Sequence, residues 1–113
     1  MASHKLIFRD CDQETFNLIK NGQKKIETRA GLPEYFEIKA RDLVNFICGD
    51  YACEKEIKNV SVFPSLNDLF KVYEPEQIDS SISTIEEMTA KYMSFPGYPE
   101  RIEKSGIIVF ELK

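Results

Sequence analysis

Hydrophobic and polar residues alternate at every second position in several short segments, which is the pattern of β-strands with one buried face. Strands are predicted over residues 4–9, 24–29 and 42–48. A longer strand over residues 51–63 has enough length to bend around the corner of a barrel. The nearly continuous apolar run at residues 106–112 predicts a central strand that closes the barrel.

Between these strands, apolar residues three or four positions apart predict short helices. Phe16 and Ile19 share one face of a helix over residues 12–21, and Gly22 is expected to end it in a left-handed conformation. Two further helices are predicted to begin near residues 65 and 83. Residues 74–81 are interpreted as a polar connection, and residues 95–99 as a loop because they contain two prolines and a glycine.

The composition is typical of one globular domain over residues 1–113. Hydrophobic residues make up 42% and charged residues 30%, and a chain of this length buries roughly two thirds of its unfolded surface. No apolar run approaches the roughly 20 residues of a membrane span. Three cysteines and a single histidine predict no metal site, although Cys48 and Cys53 could face each other across a hairpin. We therefore expect a cytoplasmic protein with reduced thiols, without metal or cofactor.

Charge is distributed unevenly along the chain. The net charge of −4 argues against broad, non-specific binding of duplex DNA. Residues 1–29, however, hold six lysines and arginines against four acidic residues. A local cationic cleft on an acidic protein would suit a small or single-stranded anionic ligand better than a long duplex.

The most informative segment is residues 22–29, which match the pattern GxKxxExR at all four specified positions. On these residues the sequence resembles the ASCH domain, named for activating signal cointegrator homology, in the PUA-like superfamily. The resemblance continues at residues 38–46, with Arg41-Asp42 where the family usually has Gly-Asp, and at residues 63–66 and 106–112. It covers essentially the whole chain.

The resemblance implies both a fold and a function. The expected fold is α+β, a small, curved, mostly antiparallel PUA-like β-barrel of five or six strands with flanking helices. The implied function is binding of single-stranded RNA or a nucleotide-like small molecule in a polar, cationic cleft.

Three charged residues of the motif are the first candidates for this cleft. Arg29 offers a planar fork of donors for a phosphate or a base edge, and Glu27 can accept from an exocyclic amine or hold Arg29 in place. Lys24 is expected to lean over the same cleft. The alternative is structural, with Glu27 and Arg29 as a partly buried ion pair and Lys24 solvated.

A second candidate group is aromatic and basic. Tyr98 lies beside a Pro-Gly segment and could stack on a splayed base, while Arg101 and Lys104 could hold a nucleic-acid backbone. A solvated helical face explains the two cations equally well. Tyr92 continues a helical stripe and is expected in the core.

Catalysis is the main alternative to binding. Amidohydrolases of this family that act on N4-acetylcytidine are expected to use a lysine and a threonine of the motif with a distant glutamate. This chain keeps the lysine as Lys24 but has Glu27 at the threonine position, and Thr28 should point through the opposite face of the strand. If the protein is an enzyme, Lys24 and Glu27 are the candidate catalytic residues, with Glu86 or Glu87 as a second carboxylate.

A third class is a protein-interaction module, which the acidic second half of the chain favours. A deep polar cavity would support ligand binding or catalysis, whereas a flat, filled surface at the same place would support protein interaction.

Overall fold

The strands form one five-stranded mixed sheet in the order β1-β3-β4-β5-β2. A computed structural model describes residues 2–113. β1 and β3 are parallel, and every other neighbouring pair is antiparallel. The strands are β1 (Ser3–Phe8), β2 (Ile26–Ala30), β3 (Leu43–Cys48), β4 (Tyr51–Phe63) and β5 (Ile107–Leu112). The helices are α1 (Gln13–Lys20), α2 (Leu66–Phe70), α3 (Pro75–Ile78), α4 (Ile85–Ser94) and α5 (Tyr98–Ser105), with 3₁₀ turns at Asp10–Asp12 and Pro33–Glu37.

The long strand β4 bends the sheet, as its length predicts. Its first half pairs with β3 and its second half with β5, and the register shifts between Ile57 and Asn59. Such an irregularity increases local twist and bends the strand. The α+β class is therefore confirmed, and β4 has the bounds that the sequence predicts.

The sheet is nevertheless open, in contrast to the closed barrel that the resemblance implies. β1 and β2 are the two edge strands, and within residues 2–113 no ladder joins them. The side chain of Arg29 on β2 bridges these edges, because its Nη1 donates to the carbonyl oxygen of Ile7 on β1 (3.2 Å). We call the gap between the two edge strands the seam. Charged side chains occupy the seam where a barrel would have backbone pairing.

Two hydrophobic cores lie on opposite faces of the sheet, and β5 serves both. Ile108 and Phe110 belong to the core that contains α1, whereas Ile107 and Val109 pack against α2, α3 and α4. All four side chains are fully buried. The prediction of a central strand is confirmed, although β5 lies between β4 and β2 and does not close a barrel.

Two helical segments differ from the sequence-based interpretation. Residues 74–81 contain the short helix α3, which buries Pro75 and Ile78. Helix α5 begins at Tyr98, inside the predicted loop, because Pro99 stands in its first turn, where a proline removes no helical hydrogen bond. Both helices, α3 and α5, contribute residues beside the seam.

The cysteines do not pair. In the β3–β4 ladder Cys48 lies opposite Tyr51 and Cys53 lies opposite Phe46, so the two thiols do not face each other, and all three cysteines are free. Among the described residues no helix has both the length and the apolar character required to cross a membrane.

Candidate ligand-binding cavity

A cavity of about 310 Å³ lies at the seam between β1 and β2. Helices α3, α4 and α5 supply its other walls, together with the end of α1. We call it the seam cavity. Five of the site residues expected from the sequence line it: Lys24, Glu27, Arg29, Tyr98 and Arg101. Lys104 does not line it and is exposed.

The end of α1 directs Lys24 into the seam cavity. Gly22 has a φ of +85°, as predicted for a left-handed helix end, and its N–H donates to the carbonyl oxygen of Ile19 (3.1 Å). The N–H of Lys24 then donates to the carbonyl oxygen of Leu18 (2.9 Å). These bonds satisfy carbonyls that the helix end would otherwise leave unpaired, and they fix where the Lys24 side chain starts.

Lys24 is buried rather than solvated. Its side chain is only 9% exposed, its ammonium donates to the carbonyl oxygen of Ile78 at the end of α3, and Nζ lies 4.0 Å from Oε1 of Glu27. Burial lowers the pKa of Lys24, because it disfavours the charged form, while the charge of Glu27 opposes that change. The amine therefore joins the motif to the helical wall of the cavity.

Glu27 and Arg29 form the buried ion pair that the structural alternative describes. Glu27 is 5% exposed, and its Oε2 accepts from Nε (3.2 Å) and Nη2 (3.1 Å) of Arg29. Its Oε1 accepts from the N–H of Thr28 (3.2 Å). The guanidinium also lies over the ring of Phe8, 4.8 Å from its centre. Both residues line the seam cavity, so the pair is at once a structural contact and a polar wall.

Aromatic side chains of α4, α5 and their connection form the opposite wall. Tyr92 and Tyr98 stack with ring centres 6.3 Å apart, and Phe95 meets Tyr98 edge to face at 4.9 Å. Tyr92 is buried, which confirms its assignment to the core, yet it also lines the cavity. Desolvation raises the pKa of both tyrosines.

Arg101 extends from α5 towards β2. Its Nη2 donates to the carbonyl oxygen of Ala30 (2.6 Å), and its guanidinium carbon lies 5.1 Å from the ring centre of Tyr98 and 5.9 Å from that of Tyr35. Its Nε is buried and has no hydrogen-bond partner among the described residues. Arg101 is therefore held between aromatic rings with part of its donor capacity unused.

A model of the ASCH domain family matches residues 10–113, which is nearly the whole chain. The chain belongs to the ASCH family. The crystal structure of hypothetical protein PH0355 superposes with a TM-score of 0.80 at 24% identity, covering 98% of this chain and 97% of that one. The solution structure of protein PF0455 from Pyrococcus furiosus gives a TM-score of 0.73 at 25% identity, covering 99% and 94%. A search of curated proteins gave no significant match.

The lining of this ASCH domain's cavity is more cationic than the protein as a whole. Charged lining residues comprise five cations and four acids, a balance of +1, whereas the chain carries −4: Arg9, Lys24, Arg29, Lys91 and Arg101 against Asp12, Glu27, Glu76 and Asp79. The lining therefore carries one more cation than acids. Its charge comes from both halves of the chain.

Several lining residues were missed in the sequence. Lys91 on α4 forms an ion pair with Asp79, which follows α3. Burial opposes ionisation of Asp79, but hydrogen bonds from Lys91 and Ser81 outweigh it and hold its pKa at about 2. The missed wall did have a sequence signal, since Pro75 stands at the first helical position and Gln77 completes a capping box.

Of the hydroxyl and carboxylates considered for catalysis, Thr28 and Glu27 both line the cavity, although Thr28 was expected to point through the opposite face of the strand. The hydroxyl of Thr28 hydrogen-bonds to that of Tyr92 (2.5 Å) rather than to Lys24. Glu86 and Glu87 are exposed at the start of α4, where Glu87 accepts from the hydroxyl of Thr84 (2.8 Å), and neither lines the cavity. Their expected role as a second carboxylate is wrong, because this turn of α4 faces solvent.

Proposed function

We propose that this ASCH domain binds RNA or a nucleotide-like ligand in the seam cavity through Lys24, Glu27, Arg29, Tyr98 and Arg101. The observation that carries the proposal is the cavity itself, which brings the motif and an aromatic wall together around about 310 Å³. Ligand pockets range from about 300 to 1,000 Å³, so this cavity suits a single planar polar group.

The lining matches the chemistry of a nucleobase. A base presents flat apolar faces and an edge of hydrogen-bond donors and acceptors, and the Tyr98 wall and the charged motif offer partners for each. Glu27 uses both oxygens within the protein but keeps free lone pairs for an exocyclic amine. The balance of +1 favours an attached phosphate.

A paired-variant binding experiment tests this function. Thermal shift is measured with a panel of nucleosides, nucleotides and short single-stranded RNAs, because a ligand at a hundredfold its Kd stabilises a fold by about 2.7 kcal/mol. Lys24→Ala should weaken a nucleotide that stabilises the wild type by about 1–3 kcal/mol. Lys25→Ala is the matched control, since Lys25 is the adjacent residue, carries the same charge and is exposed.

Two results would contradict the proposal. One is a panel in which no nucleotide or RNA shifts the melting temperature. The other is equal weakening by Lys24→Ala and Lys25→Ala, which would indicate general attraction to the surface rather than binding in the cavity.

A hydrolase is the second candidate, and the burial of Lys24 favours it. A buried amine with a lowered pKa is a typical feature of catalytic lysines. The geometry offers it no activated nucleophile, however, because Thr28 bonds to Tyr92, whose raised pKa makes it an unsuitable base at neutral pH. We expect no acetate release from N4-acetylcytidine above background. Release that disappears in Lys24→Ala but persists in Lys25→Ala would favour the enzyme.

A further inference from the structure

A group of partly exposed side chains adjoins the seam cavity at its solvent boundary. Arg9 lines the cavity, yet its side chain is 51% exposed, and its guanidinium carbon lies 5.2 Å from the ring centre of Phe95. Ile7, two residues earlier, also lines the cavity and is 67% exposed. A guanidinium, an aromatic ring and an apolar side chain therefore meet at the mouth.

Arg9 is held in one orientation. One face of its guanidinium is on Phe95, and its Nε donates to Oδ2 of Asp12 (2.9 Å). Its backbone is also anchored, since its carbonyl oxygen accepts from the N–H of Asp12 (2.9 Å). An exposed ion pair contributes little to stability, so the pair of Arg9 with Asp12 is not needed to stabilise the fold. About half of the Arg9 side chain, 51%, remains exposed to solvent beside the ring of Phe95.

We infer that Arg9 and Phe95 form a stacking site for a second base, and that the ligand is a single-stranded RNA of at least two nucleotides. Bases stack on aromatic rings and on arginine guanidinium planes. The seam cavity lies at the lower end of the size range for ligand pockets and suits one base, so a neighbouring nucleotide has to lie outside it. Arg9 and Arg29 both line the seam cavity, so the two sites are adjacent.

The inference rests on the proposed function and is tested by an affinity ratio. The probes are the four ribonucleoside 5′-monophosphates and ribodinucleotides in which adenosine is joined to the 5′ or 3′ side of the same base. In the wild type a dinucleotide should bind about 5- to 150-fold more tightly than its mononucleotide, the range expected for one stacked base.

Three variants separate stacking from charge. Arg9→Met removes both the plane and the charge, Arg9→Lys removes the plane and keeps the charge, and both should reduce the ratio to about one. Lys5→Met is the matched control, because Lys5 is an exposed cation on β1 that does not line the cavity, and it should keep the wild-type ratio. Melting temperatures are compared to show that each variant folds.

The outcomes distinguish this inference from the proposed function. Mononucleotide binding without any gain for a dinucleotide, or a ratio that survives in Arg9→Lys, would overturn the second base site and leave the function standing. If none of the mononucleotides or dinucleotides binds, both fail together.

Discussion

The ion pair between Glu27 and Arg29 allows the strongest test of how the seam is stabilised. We consider Arg29→Met, which approximately keeps volume and removes the charge, Glu27→Gln, which keeps shape but replaces one accepting oxygen with an amide NH2 that cannot accept, and the double variant. The pair is close, with Oε2 of Glu27 3.1 Å from Nη2 and 3.2 Å from Nε of Arg29, and both side chains are largely buried. The two changes should therefore be strongly non-additive.

The magnitudes follow from the partners that each variant leaves. Breaking a buried pair costs about 3–5 kcal/mol because the other charge stays uncompensated. After Arg29→Met, Glu27 keeps the N–H of Thr28 and the ammonium of Lys24 at 4.0 Å, so we expect about 3 kcal/mol. After Glu27→Gln, Arg29 still donates to the carbonyl oxygen of Ile7 and keeps some contact with solvent. We therefore expect a loss of about 2 kcal/mol in the free energy of unfolding.

Urea denaturation measures the cycle. A coupling energy of about 2 kcal/mol would bring the double variant to a total loss of about 3 kcal/mol instead of 5. The m-value, which is the slope of the free energy of unfolding against urea concentration, should be unchanged, because the same surface is exposed on unfolding. Losses that add within about 0.5 kcal/mol would refute the reasoning. If the double variant is stable and still binds nucleotide as the wild type does, the pair is structural alone and its proposed role in binding is wrong.

Three further predictions concern positions outside this pair. Arg41 has a φ of +77° where the family pattern has glycine, so Arg41→Gly should stabilise by about 0.5–1 kcal/mol after the entropy of glycine offsets part of the left-handed penalty, and a lower urea midpoint would contradict this. Gly22→Val should cost about 1–2 kcal/mol through backbone strain alone, since no atom lies within 4 Å of an added Cβ, and unchanged stability would contradict the left-handed helix end. The hydrogen bond from His4, followed by those from the N–H groups of Lys39 and Ala2, lowers the pKa of Asp42 from 3.8 to about 2. Its stabilisation is present above pH 3.8 and lost as pH falls through about 2, so Asp42→Asn should flatten the acid limb of a stability profile, and an identical limb would contradict the assignment.

Features that depend on one stretch of chain were predictable from the sequence. β4 shows its alternation over a single continuous segment and has the predicted bounds. Gly22 directly follows the helix that it ends, and its left-handed conformation is the one expected. The hydrogen bonds at Gly22 lie within one helix end, and the turn at Gly49-Asp50 and Pro64 mark the bounds of β4 locally, so local propensity and tertiary structure agree.

Features that depend on distant segments were not predictable in the same way. The predicted closed barrel required pairing of β1 with β2, but alternation within each strand carries no information on which strands are neighbours. The contact of Arg9 with Phe95 joins residues far apart in sequence, and neither belongs to the motif. Family resemblance located the cavity through Lys24, Glu27 and Arg29, while its mouth became visible only in three dimensions.

The open seam explains why stability and the proposed binding involve the same residues. An edge strand presents unpaired backbone groups, which favour pairing with another chain unless something covers them. Here the guanidinium of Arg29 caps the carbonyl oxygen of Ile7, and Glu27 fixes that guanidinium. A charged side chain bridges the two edge strands. Backbone pairing at the same place would leave no room for a polar pocket. A single substitution in this network changes the edge and the pocket together, so only a double-variant cycle with a ligand readout can separate the two roles.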